Sequence, residues 1–318
     1  MDIKELNALL AVADAGTVTK AARLLHLEQP AVSRQIKLLE TELGLALFER
    51  SRSGMVLTDA GDVLVGYARR AVAELERAEA ELRAEAIGTR GIVTVGILDS
   101  VSDLVAEPLV TAVRRVHPDI ELRLFTAFAG HLRRWLYDGE LDMALLFGMT
   151  DPTALRILPV ASEQLWAVAP KTAGLRADQP LGFTEIAQHP LVVPVRGNAL
   201  RTLVDETAAR AGVDITISVE TNAARVQKQL VAGGHGWAIL PAVCVTDELT
   251  SNTFSIAPLA DETALRELVL ATPRTSRSSR ATQVVAGFLL KILHRAALDG
   301  RWPSVTWHLD DEPATRLR

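Results

Sequence analysis

A multidomain α/β architecture is predicted by three observations on the 318-residue sequence. The first sixty residues read as short helices and a hairpin, residues 59 to about 86 form one proline-free amphipathic stretch, and beyond Gly91 apolar strand-like runs alternate with helices. The length is more than double that of a usual domain, so one core does not account for it. Hydrophobic residues at 48% and charged residues at 23% match a chain that buries sizeable cores, which excludes global disorder. The longest apolar runs, such as 143–148 or 191–195, fall far short of the roughly 20 residues a bilayer span needs, so a membrane protein is not expected. Charges at Asp2, Lys4 and Glu5 stand where a secretory signal places a basic patch and an apolar stretch. A single cysteine, Cys244, excludes a disulfide framework and a thiolate zinc cluster, and its apolar neighbours make it a small core residue. A cytoplasmic location is expected. None of the seven histidines forms the i, i+4 pair of a helical metal site, so no metal is expected.

Ile3, Leu6, Leu10 and Ala13 mark one face of a first helix that stops before Gly16, where a residue without a Cβ turns at little cost. Thr17 then caps a short second helix with Val18, Ala21, Ala22 and Leu25 on its inner side, and the polar turn 26–29 closes it. A third helix begins near Pro30, whose missing N–H had no partner there, and carries Val32, Ile36, Leu39 and Leu43 up to Gly44. Residues 47–50 and 55–58 are strand-like and are joined by Ser51, Arg52, Ser53 and Gly54, the composition of a hairpin turn. That hairpin is a wing.

From Thr58 or Asp59 a long helix runs to about Ala86. Leu64, Ala68, Ala71, Leu75, Ala78 and Leu82 alternate by four and three, the spacing of a coiled-coil seam, and pairing of two copies is its natural use. An amphipathic helix packed on its own domain gives the same pattern. After a hinge at 88–91, strands at 92–97, 120–125 and 143–147 enclose helices at 104–116 and 132–137. A second unit starts near Ser162, with strands at 165–169, 191–195, 216–219 and 237–240 and helices at 200–211 and 223–232. A strand at 267–271 and a helix at 281–298 return the chain to the first lobe. The expected domains are therefore 1–58, a helix 59–87, a lobe from 92–161 with 267–300, a lobe 162–266, and a tail 301–318 anchored by Trp302 and Trp307. Two lobes joined by crossing strands make a cleft, and ligands in such sheets sit beyond the carboxyl ends of the strands.

The second and third helices form a helix-turn-helix, which lays its second helix in a DNA major groove. With Val32, Ile36 and Leu39 turned inward, Gln29, Ser33, Arg34 and Lys37 remain for other faces, a local patch with two bases and no acid. Arg34 suits guanine or phosphate, Gln29 and Ser33 suit base edges, and Lys37 suits the backbone. The expected interface comprises Thr17, Gln29, Pro30, Ala31, Ser33, Arg34 and Lys37, with Arg50 and Arg52 of the wing. Over residues 1–60, seven bases face eight acids, so one copy binds weakly and specific binding needs two or more on one stretch of DNA.

Ala21-Ala22-Arg23-Leu24-Leu25-His26-Leu27, Gln29-Pro30-Ala31-Val32-Ser33-Arg34-Gln35-Ile36, Leu39-Glu40, Leu43-Gly44, Leu47-Phe48-Glu49-Arg50 and Leu57-Thr58-Asp59-Ala60-Gly61 resemble the N-terminal domain of LysR-type transcriptional regulators. The likeness continues through residues 136–145 and 231–241 and covers about 1–298. Residues 194–196 to 200–201 are similar to the nitrogen-assimilation-control branch. The resemblance implies a winged helix-turn-helix, a dimerising linker helix, and a two-lobed effector domain like a periplasmic binding protein of type II. It also implies promoter DNA, a small-molecule co-inducer, RNA polymerase and further copies of the chain, as dimer or tetramer, for partners. One departure is Glu28, where the family usually carries Ser or Thr. A carboxylate suits a helix N-terminus but repels phosphate, so weaker DNA binding is expected.

For the cleft, Ser100, Val101 and Ser102 follow the first strand and open a helix, where hydroxyls and backbone N–H groups suit an anion. Phe147 and Gly148 end another strand. Across the cleft are expected Val195, Arg196 and Asn198, then Thr221 and Asn222, then Gly236 in a glycine-rich turn. Arg196 points to a carboxylate co-inducer. Family members often place a hydroxyl where Ala129 and Gly130 stand, so that side is expected to be less polar. An enzyme on the same scaffold is the competing reading. Its nearest motif, residues 233–236, precedes a strand instead of linking strand to helix as a phosphate loop does, so no enzyme and no cofactor is expected. A solute-capturing transport module needs export and lacks a helix-turn-helix.

Overall fold

The computed structural model describes residues 1–51, 54–84, 89–148, 154–245, 253–274 and 278–309. The chain divides into two compact units, residues 1–86 with 137–140, and residues 87–136 with 141–318.

In the first unit, α1 (Ile3–Ala15) opens on a capping box in which Asp2 and Glu5 each accept the other's backbone N–H at 2.8 Å. Thr17 caps α2 (Val18–Leu24), accepting from the Lys20 N–H at 3.3 Å. The turn closes where the Leu27 N–H donates to the Ala22 carbonyl at 2.9 Å. Next comes α3 (Gln29–Leu43), with Pro30 in its first turn. Leu9, Val12, Ala21, Val32, Ile36 and Leu39 close one core between these helices. The wing strands β1 (Phe48–Ser51) and β2 (Gly54–Leu57) pair antiparallel. A Cβ on Gly54 would lie 2.3 Å from the Gly16 carbonyl oxygen, the same oxygen that accepts the Met55 N–H at 2.8 Å. Glycine is what lets the wing dock on the turn before α2.

The segment after the wing explains its own sequence. The Thr58 hydroxyl donates to the Ala46 carbonyl at 2.7 Å and accepts from the Gly61 N–H at 3.0 Å, and a Cβ on Gly61 would meet the Leu47 carbonyl oxygen at 2.2 Å. From there α4 (Asp59–Ala84) leaves the core. Leu64 packs against that core and Ala68 is 1% exposed within it, so the first two positions of the expected seam serve their own domain. Ala71, Leu75 and Ala78 are exposed, as are Val63 and Tyr67, two turns and one turn before Ala71. The side chain of Leu82 lies outside the described residues.

The second unit holds, among the described residues, a ten-stranded sheet with the path β4-β3-β5-β11-β6-β9-β7-β8. Its elements are β3 (Gly91–Leu98), α5 (Ser102–Val116), β4 (Ile120–Ala127), α6 (Ala129–Tyr137), β5 (Met143–Phe147), β6 (Leu155–Pro170), α7 (Phe183–Ile186), β7 (Leu191–Val193), α8 (Ala199–Ala211), β8 (Ile217–Glu220), α9 (Ala224–Ala232), β9 (Trp237–Pro241), β10 (Phe254–Pro258), β11 (Leu265–Pro273), α10 (Arg280–Leu298) and β12 (Val305–Trp307). Parallel β4-β3-β5 form one half and parallel β9-β7-β8 the other, as the alternating strands and helices predict. The antiparallel strands β6 and β11 run between them.

In place of a strand starting at 165, β6 is one continuous strand of 16 residues. It stays unbroken because its first part pairs with β11 and its second with β9 and β10. Helix α10 is long and apolar enough to cross a membrane, yet Val285, Ala286, Leu289, Leu290, Leu293 and Ala296 are buried within the unit. In the tail, Trp302 is 1% exposed and β12 adds to β6, so this segment belongs to the core of the sheet.

Candidate functional site

The face of α3 opposite the core is the site of the first unit. Val32, Ile36 and Leu39 are buried, and the 3.6-residue period leaves Gln29, Pro30, Ser33, Arg34 and Lys37 exposed, with Ala31 half-buried at the margin. Thr17 is half-buried and spends its hydroxyl on the cap of α2. The Gln29 amide oxygen accepts a long 3.4 Å bond from the Thr19 hydroxyl, leaving its NH2 group outward. Arg50 is exposed on β1, and Arg52 lies outside the described residues. At the start of α3, Glu28 is exposed and makes no side-chain cap bond, so its carboxylate adds negative charge beside the exposed face of α3 without closing the helix end.

The site of the second unit is a solvent-open cleft at the carboxyl ends of the parallel strands. Leu98, Phe147, Pro194 and Pro241, at or just after the ends of β3, β5, β7 and β9, all line it. Four helices also begin there. Ser100 precedes α5, Ala129 starts α6, Asn198 caps α8 through a 2.9 Å bond from the Leu200 N–H, and Ala224 starts α9. Their N-terminal ends give the cleft a positive field.

Of the expected cleft residues, Ser100, Phe147, Asn198 and Asn222 line it. The others do not. Val101 is 0% exposed in the core, and the Ser102 hydroxyl turns back to donate to the Asp99 carbonyl at 2.8 Å. Gly148 sits beside the first residue of α8, Val195 is half-buried and Arg196 is exposed outside the lining. The Thr221 oxygen faces the Ala223 N–H at 3.5 Å, and Gly236 is buried in the turn before β9. Ala127, Phe128 and Ala129 make the α6 side apolar.

The residue that sequence reasoning missed is Arg266, at 2% exposure on β11. Its Nε pairs with Glu163, its Nη1 donates to the Ser100 hydroxyl oxygen at 3.0 Å, and its guanidinium lies over the Phe147 ring, 4.9 Å from the centroid. Its Nη2 is buried without a partner, as is Oδ1 of Asn222 across the cleft. Glu163, 0% exposed, is itself held on Oε2 by the Trp302 indole N–H at 2.7 Å and the Val243 N–H at 3.2 Å. A signal was present: Arg266 close before the apolar run 268–271 and Glu163, the one charge in 158–170, are charges that buried strands tolerate only as a pair.

Cys244 also lines the cleft, its thiol facing the Ser100 carbonyl at 3.7 Å. Burial pushes this thiol up to about 12, so it stays protonated at neutral pH and is a poor nucleophile.

The sequence matches the LysR substrate binding domain over residues 86–293 and the bacterial regulatory helix-turn-helix protein, lysR family, over residues 3–62. The HTH-type transcriptional regulator BbuR of Bordetella bronchiseptica is 28% identical over 303 residues, spanning 95% of this chain and 93% of that protein. The nitrogen assimilation regulatory protein nac of Klebsiella aerogenes is 26% identical over 302 residues, spanning 95% and 98%. Full-length OxyR from Pseudomonas aeruginosa has a similar fold, with a TM-score of 0.72 and 22% identity over 98% of this chain and 99% of that one. Full-length CbnR complexed with its target DNA gives 0.65 and 21% over 93% and 100%. An exposed helix for reading DNA, a ligand cleft at the strand ends and family models that match both units make the same statement: this chain belongs to the LysR family, as a DNA-binding transcriptional regulator and not an enzyme.

Proposed function

We propose that the chain binds promoter DNA as a homo-oligomer, with α3 of each copy in a major groove, and alters transcription by RNA polymerase when a small carboxylate effector occupies the cleft. The observation that carries this is the division of α3 into a buried face of Val32, Ile36 and Leu39 and an exposed face of Gln29, Ser33, Arg34 and Lys37. Pairing of copies along α4 is supported by the exposed stripe Val63, Tyr67, Ala71, Leu75 and Ala78, and a dimer doubles the few phosphate contacts that one near-neutral domain offers. A tetramer is two such pairs.

The reading divides the chain as winged helix-turn-helix, linker helix and a two-lobed effector domain with lobes 92–161 plus 267–300 and 162–266. The protein then works in the cytoplasm, on the nucleoid. The effector acts by population shift, and only to the extent that it prefers one arrangement of the domain. DNase protection of the DNA upstream of the chain's own gene tests the proposal. The full-length protein protects a site longer than one helical turn, Arg34→Ala removes the protection, and a metabolite that fills the cleft changes its extent. No protected site, or one unchanged in Arg34→Ala, overturns it.

A further inference from the structure

We infer that the cleft selects a monocarboxylate with an apolar body, that Arg266 and Ser100 grip the carboxylate, and that Trp302 of the tail keeps Arg266 aimed. The inference rests on the effector reading above and names the anchor within it. Arg266 uses two of its three nitrogens on Glu163 and Ser100, and its Nη2 has no acceptor at 2% exposure. A buried donor left unmade is costly, and the acceptor that repairs the loss best is a carboxylate oxygen. Ser100 complements it: its oxygen already accepts from Nη1, which leaves its own O–H free to donate.

Charge and shape agree. Arg266 is neutralised by Glu163, so the added negative charge must be met elsewhere, and the N-terminal ends of α5, α6, α8 and α9 face it. No side-chain cap closes α9, so N–H groups of its first turn remain available. The one acid among the lining residues, Asp99, is exposed where Arg266 is buried, so water screens it better. Leu98, Phe128, Pro194, Leu200 and Leu240 offer apolar contact to the rest of the ligand, and the Asn222 amide stands opposite for one polar substituent.

Glu163 sets the direction of the guanidinium, and Trp302 fixes Glu163. Trp302 lies beyond residue 293, where the effector-domain match ends, so a segment outside that match completes the site. Trp302 is a positioning residue, which predicts an effect on charge discrimination and not on binding in general.

The test is calorimetric titration of the full-length protein with benzoate, cyclohexanecarboxylate and 4-methylpentanoate, each against its uncharged primary amide. At least one acid is expected to bind ten or more times tighter than its amide. The double variant Arg266→Met with Glu163→Gln removes the buried pair together, so the core keeps no lone charge. It is expected to keep most of its stability and its promoter binding while the acid-to-amide preference falls to near one. Trp302→Phe keeps the bulk but not the N–H and is expected to lower the preference about threefold with amide binding unchanged. Equal binding of acids and amides, no binding of any acid, or a preference that survives the double variant overturns the inference. A promoter footprint that still responds to an uncharged metabolite then leaves the regulator reading standing.

Discussion

The two sites of this protein are assembled from opposite kinds of contact. The exposed face of α3, proposed to read DNA, draws Gln29, Ser33, Arg34 and Lys37 from nine consecutive residues, and one helical period both buries their neighbours and exposes them. The anion anchor of the cleft joins Arg266 to Ser100 across 166 positions, to Glu163 across 103, and Glu163 to Trp302 across 139. Local sites tolerate the loss of one side chain as a loss of binding. Sites wired through a buried pair lose stability first, because the partner left behind carries an unmatched charge.

Single and double variants separate these cases. Arg266→Met alone strands Glu163 at 0% exposure and is expected to cost about 3–5 kcal/mol in denaturant unfolding, most of it recovered when Glu163→Gln is added. A single variant as stable as the parent contradicts the wiring. Arg34→Ala is expected to leave unfolding unchanged and to weaken promoter binding of a dimer about a hundredfold, from about 1–3 kcal/mol at each half-site. Gly61→Ala drives a methyl group against the Leu47 carbonyl, and thermal melting is expected to show a loss of about 2 kcal/mol. Glu28→Ser removes a carboxylate beside the phosphates and supplies the missing cap of α3, so anisotropy is expected to read a tightening of about threefold to tenfold, from about 1 kcal/mol. The smallest effect concerns Cys244. Because its folded pKa is raised, the neutral thiol stabilises the fold below the usual thiol range, and that contribution is lost as pH climbs through about 12. Alkylation at pH 7.5 is therefore expected to be negligible on the folded protein, and rapid labelling contradicts this.

Much of the first unit was legible because its rules are local. Thr17, Pro30 and Gly44 punctuate the helices where capping chemistry says they do. The seam on α4 was half legible: spacing gave the apolar stripe, but only tertiary contact shows Leu64 and Ala68 taken by the core and Val63 and Tyr67 left outside. In the cleft, strand ends and helix starts located Ser100, Phe147, Asn198 and Asn222. Arg196 lies exposed, outside the cleft lining, whereas Arg266 is buried on a largely apolar strand. Which arginine enters a cleft depends on strand register, set here by Glu267 of β11 opposite Ser162 of β6 and by the bulge beyond Leu268, and that no local pattern encodes.

The most direct measurement is the ratio of affinities of the full-length protein for its own promoter fragment and for random duplex at one salt concentration, with and without Arg34→Ala. The account predicts a ratio of at least about a thousand in the parent, falling sharply in the variant while random-duplex binding changes little. A ratio that Arg34→Ala leaves intact contradicts the claim that this face of α3 reads the DNA.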